Sequence, residues 1–534
     1  VAADDREMVI EDGPWNGLLD SIAPTAKQPG KYLEGKNIYP LDPAIGDGVV
    51  GRPGVVQAGD ILGSAGRRRG QGTFQFTRKN GTEHSIQITG GYFYTYNHTT
   101  QVWTEVLTNA QLAAAGVTLD QTAKLSFLTF SDRVIISDGI NRAWDWDGTT
   151  GGGLRVLTNM PIAYGQLTNY YARVFLISAA EPTKVYWSAT NDATTGYAAL
   201  GNVWDITQTD PNRLYVILGT NDSLYAVRAR SGTTLGGVPS ANFSSSATRD
   251  ALSDSQGTMS PFAVTLQDVN LVVLDADLRP QYLRPGGAGF TPLWTPFRET
   301  IKDLPKTPEM LFKCMSVLYS PASLLLIAVP GVGQTECTMM LVYDVKGAVP
   351  VPVAVWDGWE MTSLAMLKNA AGTPYLFHSD TTGRVYRHGN PEDDSPWDDF
   401  LASGTVAIGH VLEPQALGYS TKREKVFDRL DIAVRAINDQ QLVLTMLTSR
   451  GQVNAAQTIT AGSGYPGYDT GLYDTVIYDG ATSVTTQEAH ASVGINELAR
   501  WIKPRVTHQT LAERFGLIAL TVTGYAEDDD PPVP

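Results

Sequence analysis

The chain has 534 residues, 43% hydrophobic and 18% charged, enough apolar matter for a large core, which excludes a disordered or fibrous protein. Forty basic and 55 acidic residues leave a formal charge of −15, which argues against a broad basic surface that grips nucleic acid. Fifty-two glycines and 30 prolines suit many short strands and turns rather than a helical bundle, and two cysteines cannot staple a chain of this size.

Residues 1 to about 65 read as an extended N-terminal arm, because turn pairs such as Gly13-Pro14, Pro29-Gly30 and Arg52-Pro53-Gly54 crowd together without periodicity. The first residues carry early acids and no apolar leader run, so cytoplasmic synthesis is expected. Apolar runs such as Leu324 to Val329 fall far short of the roughly 20 residues of a membrane span, and no membrane insertion is expected.

From residue 66 to 400 short alternating runs follow one another between Gly, Asn, Asp and Pro. Gly72 to Arg78, Ser85 to Thr89, Tyr92 to Asn97 and Val102 to Leu107 make one set of four. Leu125 to Phe130, Arg133 to Ser137, Arg142 to Trp146 and Leu154 to Leu157 make the next, with turns at Ser131-Asp132 and Asp138-Gly139. Four short antiparallel strands per roughly 35 to 50 residues is the cadence of a propeller blade. Looser sets continue to His388. The fold class expected is all-β, a β-propeller of about six to seven blades. Helical signal is confined to Asn109 to Ala115 and Thr307 to Cys314.

Longer strands follow over 401–525, a β-rich C-terminal part that is either a sandwich-like module or a set of closing strands, and residues 526–534 form an acidic tail.

No phosphate-binding loop or zinc-protease motif occurs, and the expectation is a non-enzyme without cofactor or metal. His378 and His388 stand ten residues apart across a turn, a spacing with little claim to a metal. The acidic run Glu392, Asp393, Asp394, Asp398 and Asp399 reads first as a solvated loop, and Asp145-Trp146-Asp147-Gly148 as a strand end entering a turn. Trp144, Trp146, Trp187, Trp204, Trp294, Trp356, Trp359 and Trp397 read as packing between blades, with a carbohydrate platform as the rival. Cys314 and Cys337 are expected as packed free thiols. Two basic clusters, Arg67, Arg68 and Arg69 in a glycine-flanked loop and Lys422, Arg423 and Lys425, are candidate contacts to a neighbouring subunit.

Asp12-Gly13-Pro14-Trp15-Asn16-Gly17, Asn37-Ile38-Tyr39-Pro40 and Gly51-Arg52-Pro53-Gly54-Val55 together resemble the opening of tail nozzle or hub proteins of short-tailed bacteriophages. Tyr171 to Leu176, Lys184 to Ala189, Val203 to Ile206, Leu224 to Ser231 and Thr421 to Leu430 extend the similarity of pattern over about two thirds of the chain. The resemblance implies a virion structural protein, made in the host cytoplasm and built into the tail as a homo-oligomeric, hexameric ring below the portal. Its implied partners are the head–tail adaptor, tail fibre or needle proteins, and double-stranded DNA in transient passage. A carbohydrate- or receptor-binding propeller, including a polysaccharide-degrading one, is the alternative reading.

Overall fold

The structure, a computed structural model, describes the chain except residues 1–6, 13–16, 19–30, 41–47, 207–212, 221–222, 230, 240–242, 244–247, 254–256, 268–269, 284–289, 370, 390–397, 402–403, 415, 417–424, 437–439, 450, 453–456, 462–486, 511–515 and 527–534. Seven antiparallel sheets, each built on four successive positions, follow one another from residue 70 to 388. Blade 1 comprises Gly70–Thr77, Glu83–Thr89, Tyr92–Asn97 and Val102–Leu107; blade 2 comprises Ser126–Phe130, Arg133–Ser137, Trp144–Trp146 and Leu154–Val156. Both follow the alternation read from sequence. In blades 2 and 3 the first hairpin turns through Ser131-Asp132 and Tyr171-Ala172, both residues of each pair having positive φ, the geometry whose twist matches paired strands.

Each later blade opens with one strand at the centre: Ala163–Tyr170, Leu214–Gly219, Val264–Gln267, Met315–Tyr319 and Ser363–Lys368 for blades 3 to 7. These first strands lie against one another around an axis. Leu125 N–H donates to Gln71 O at 3.0 Å, Leu167 N–H to Ser126 Oγ at 2.9 Å, and Gly219 N–H to Thr168 Oγ1 at 2.8 Å. Val216 and Val264 share a core, Thr265 and Ser316 touch at 2.5 Å, and Thr73 Oγ1 meets Ser363 Oγ at 2.6 Å. The last of these contacts closes the ring between blades 7 and 1.

The arm supplies what blade 7 lacks. Its own strands are Ser363–Lys368, Pro374–Ser379 and Val385–His388, and the fourth is Val55–Gln57, antiparallel to Val385–His388. Other arm strands join the C-terminal part. Glu7–Asp12 pairs with Gly516–Ala526, and Val49–Gly51 bridges that strand to Ile38–Pro40. Lys31–Lys36 lies between His410–Pro414 and the outer strand of blade 6, Val351–Met361. Two sheets therefore stand beside the propeller, one centred on Lys425–Ala436, the other on Gln440–Thr448 and Ile502–His508. Alternate residues Leu442, Leu444, Met446, Ile502 and Val506 of the second share one core with Leu430, Ile432, Leu520 and Val522 of the first. That core runs without a break into blades 5 and 6.

Candidate functional site

Where arm, blade 7 and the second sheet meet, the chain buries a cation. Arg52 is 1% exposed, and its guanidinium donates to both Asp399 oxygens, at 3.0 and 2.6 Å, and to the carbonyls of Pro53 and Asp357. Its Nε donates to Asn37 Oδ1 at 2.9 Å, and the ring of Trp359 lies 3.8 Å beneath it. Asn37 holds φ +54° and donates to Asp357 Oδ1 and Gly409 O, so it needs both a left-handed backbone and an amide. Asp399 also accepts Val55 N–H at 3.2 Å, which ties the knot to the ring-closing strand.

Four histidines pack around this knot. His378 and His388 share a hydrogen bond of 2.8 Å, and His410 and His508 one of 3.2 Å. All four are buried. Burial first, with neighbouring positive charge from Arg52 acting in the same direction, holds His378, His388 and His410 well below the ordinary histidine range. Gly51 is required here, since a Cβ would come within 2.4 Å of His410 Nε2.

The second polar concentration lies at the channel mouth, on the face where every first strand begins. Arg69, one residue before blade 1, makes a bidentate pair with Glu336 at 2.7 and 2.8 Å. Lys313, two before blade 6, reaches the same carboxylate at 3.0 Å. Burial works to raise Glu336, but hydrogen bonds and charge from Arg69 and Lys313 outweigh it and hold the carboxyl below its usual range. Lys124, two before blade 2, donates to Lys313 O across the mouth at 2.8 Å and lies over Phe262 at 4.9 Å. Burial pulls its ammonium down to about 8. Phe262 meets Phe312 at 5.3 Å, Phe312 meets Tyr164 at 5.6 Å, and Arg213, one before blade 4, stacks on Tyr164 at 3.6 Å.

The sequence-derived candidates divide among these places. Arg67 pairs through its backbone with Ser64, Arg68 is exposed, and Arg69 is engaged within the chain by Glu336. Lys422 and Arg423 lie outside the described residues; Lys425 begins the strand Lys425–Ala436. Residues 392–394, Trp397 and the tail 527–534 also lie outside them. Asp399 departs from the solvated loop expected for its run, because it is the partner of a buried arginine. Asp145 is buried between Arg133 and Arg155 at 2.7 and 2.5 Å, which makes it a strand-pairing anchor. Trp144, Trp146, Trp187, Trp204, Trp356 and Trp359 are buried, as packing between blades requires, and Trp294 is half-buried with Arg279 over its ring. Cys314 and Cys337 are buried free thiols beneath Lys313. Sequence reading missed Lys124, Arg213 and Lys313; their recurrence one or two residues ahead of a first strand was the available signal.

The strand order defines a seven-bladed β-propeller whose ring is closed by an N-terminal strand and which carries a two-sheet module on blade 6. No protein-family model matches the chain, and no curated protein does. Among solved structures, the chain is similar to BBS1N in complex with ARL6DN, at 10% identity and TM-score 0.40 over 64% of this chain and 98% of that one. It is similar to YCF48 from Cyanidioschyzon merolae, at 11% and 0.39 over 64% and 100%, and to BamB from Moraxella catarrhalis, at 12% and 0.35 over 66% and 95%. The assignment of the fold rests on the strand order itself.

Proposed function

We propose that the chain is a non-enzymatic structural subunit of a phage tail nozzle, assembled as a ring below the portal and adaptor, through which DNA leaves the particle. The observation that supports this reading is the fate of two of the three arm motifs that carry the resemblance. Asn37 and Arg52-Pro53-Gly54 meet in one buried knot with Asp357 and Asp399, and that knot fixes the arm to both the propeller and the second sheet. Residue types chosen for such a lock suit a part that must transmit load without unfolding. The seven first strands carry a single charged residue, Lys368, so the propeller axis itself is an unpromising path for DNA. In this reading the conduit is formed between subunits, whose shared negative charge would repel phosphate and keep passage free of tight ion pairs.

Immunogold electron microscopy with antibody to this chain, on particles from a lysate of the producing strain, tests the reading. Label at one tail vertex is the expected result. Unlabelled particles, with the protein in soluble or envelope fractions, would overturn it, and released sugar from bacterial polysaccharide would then favour the carbohydrate-active alternative.

A further inference from the structure

We propose that the two buried histidine pairs make the arm an acid-released strap: as they take up protons, the strands Val49–Gly51 and Val55–Gln57 leave blade 7 and the second sheet while blades 2 to 6 keep their structure. This device belongs to the junction alone and does not depend on the nozzle reading.

Four of the seven histidines in the chain converge on this one place, and blades 2 to 6 contain none. Each pair bridges two strands and touches the arm. His378 and His388 come from neighbouring strands of blade 7, and His388 stands opposite Val55 in the ladder that closes the ring. His410 and His508 face each other across the second sheet, and His410 Nε2 lies against Gly51 with no room there for a side chain. Arg52, next to Gly51, stacks on Trp359, whose ring is 5.9 Å from His378 and 5.3 Å from His388.

The junction has no carboxylate to spare. Among the described residues, its charged groups are Arg52 and Lys36 of the arm, Asp357 of the outer strand of blade 6, and Asp399 of the strand Asp398–Leu401. Asp399 is taken by Arg52 and the Val55 N–H, and Asp357 by Lys36 at 2.8 Å and by Asn37. The other neighbours are neutral: Tyr386 stacks on His378 at 4.9 Å, and Leu442 pairs with His508. Each imidazolium formed here therefore adds a buried positive charge beside Arg52. His378 Nε2 is buried without a hydrogen-bond partner, so a proton placed on it is also a donor without an acceptor.

Both costs vanish when the arm withdraws, because Arg52 leaves with it and water reaches the rings. The propeller keeps its ring, since blades 7 and 1 also meet through Thr73 and Ser363. Burial, with positive charge from Arg52 acting in the same direction, keeps His378, His388 and His410 neutral while the arm is docked. A histidine that is neutral in the docked form and titrates near 6.5 in the released one shifts the balance about tenfold toward release between pH 7.5 and 5.5. Three such groups multiply to about a thousandfold.

Hydrogen–deuterium exchange of the full chain, read by mass spectrometry from pH 7.5 to 5.5 and corrected for the intrinsic rate at each pH, is the test. Protection across residues 49–57 and Val385–His388 is expected to fall at least about a hundredfold, with about two or more protons taken up per opening near pH 5.5. Arg133–Ser137 of blade 2 and Leu324–Pro330 of blade 6 should stay protected. His388→Gln should lower the proton count by about one, and His98→Gln in blade 1 should leave it unchanged. Equal loss of protection in blade 2 would mean that the whole chain unfolds and would overturn the proposal, as would unchanged protection of the arm or a count of about one proton or fewer. Should His388→Gln fail to fold, the proton count of the wild-type chain decides the matter by itself.

Discussion

Removing the carboxylate of Asp399 isolates the charge of Arg52 inside the protein. Arg52 has four other acceptors or ring contacts, with Asn37, Pro53, Asp357 and Trp359, and all of them are neutral groups. Among the described residues, Asp399→Ala therefore leaves a buried guanidinium with no directly bonded counter-charge, the neighbouring Asp357 carboxylate being paired with Lys36, and it also orphans the Val55 N–H. Breaking one partner of a buried pair costs about 3–5 kcal/mol, and an unsatisfied buried donor adds about 1–3 kcal/mol. A loss of at least about 3 kcal/mol is expected, read as a lower urea midpoint followed by tryptophan fluorescence, to which the stacked Trp359 contributes. The paired change Arg52→Met with Asp399→Leu removes both charges and should recover more than half of the loss, because the cost lies in the unpaired charge rather than in missing volume. A midpoint for Asp399→Ala within about 1 kcal/mol of wild type would refute the reasoning, as would a double variant weaker than either single one.

Acidification should act on the same junction. His378, His388 and His410 are neutral when folded, and each binds a proton near 6.5 once unfolded, so the unfolded chain takes up more protons below that pH and stability falls as pH drops. The slope is about 1.4 kcal/mol per pH unit for each group; equal urea midpoints at pH 7.5 and 5.5 would contradict it. Val56→Pro puts a ring into the strand that closes blade 7, where Val56 pairs with Arg387. Amide exchange across Val385–His388 should quicken about ten- to a hundredfold, as a loss of roughly 1–3 kcal/mol requires; unchanged protection would mean that the arm strand does not close the ring. Glu336→Gln should destabilise the mouth, because Arg69 and Lys313 lose their shared carboxylate. A thermal midpoint equal to wild type would show that those cations have other counter-charges.

Much of the propeller was legible because blades 1 and 2 are made locally. Their strands alternate, their turns carry Asp, Gly or Asn, and each strand finds its partner within a few residues, so Tyr92–Asn97, Val102–Leu107 and Arg133–Ser137 fall where periodicity puts them. Legibility failed where composition is weak. In blade 4 the strands Gly232–Gly236 and Thr248–Ser253 are rich in Gly, Thr and Ser and have little apolar rhythm. Legibility failed again where pairing is remote. Nothing local to Val55–Gln57 announces that its partner lies beyond residue 380, and nothing near Asp399 announces Arg52. At the candidate sites the residue types were visible, but their convergence was not. Arg69 stood out as part of a triple arginine run, whereas Lys124, Arg213 and Lys313 are single cations in unrelated stretches, made neighbours only by ring closure.

That closure sets a timetable for synthesis. The strand Val55–Gln57 leaves the ribosome some 330 residues before Val385–His388, its partner in blade 7. At about 5–20 residues per second, the wait is roughly 20–60 s. Over that interval blades 1 to 6 can form in order while the arm has no sheet to join, and the strand Glu7–Asp12 waits longer still, for Gly516–Ala526. Unpaired strand edges recruit other chains. A crowded polysome making this protein therefore holds many arms that could pair with the wrong copy, and slower translation or higher expression should raise the yield of exchanged dimers and aggregates over closed monomers.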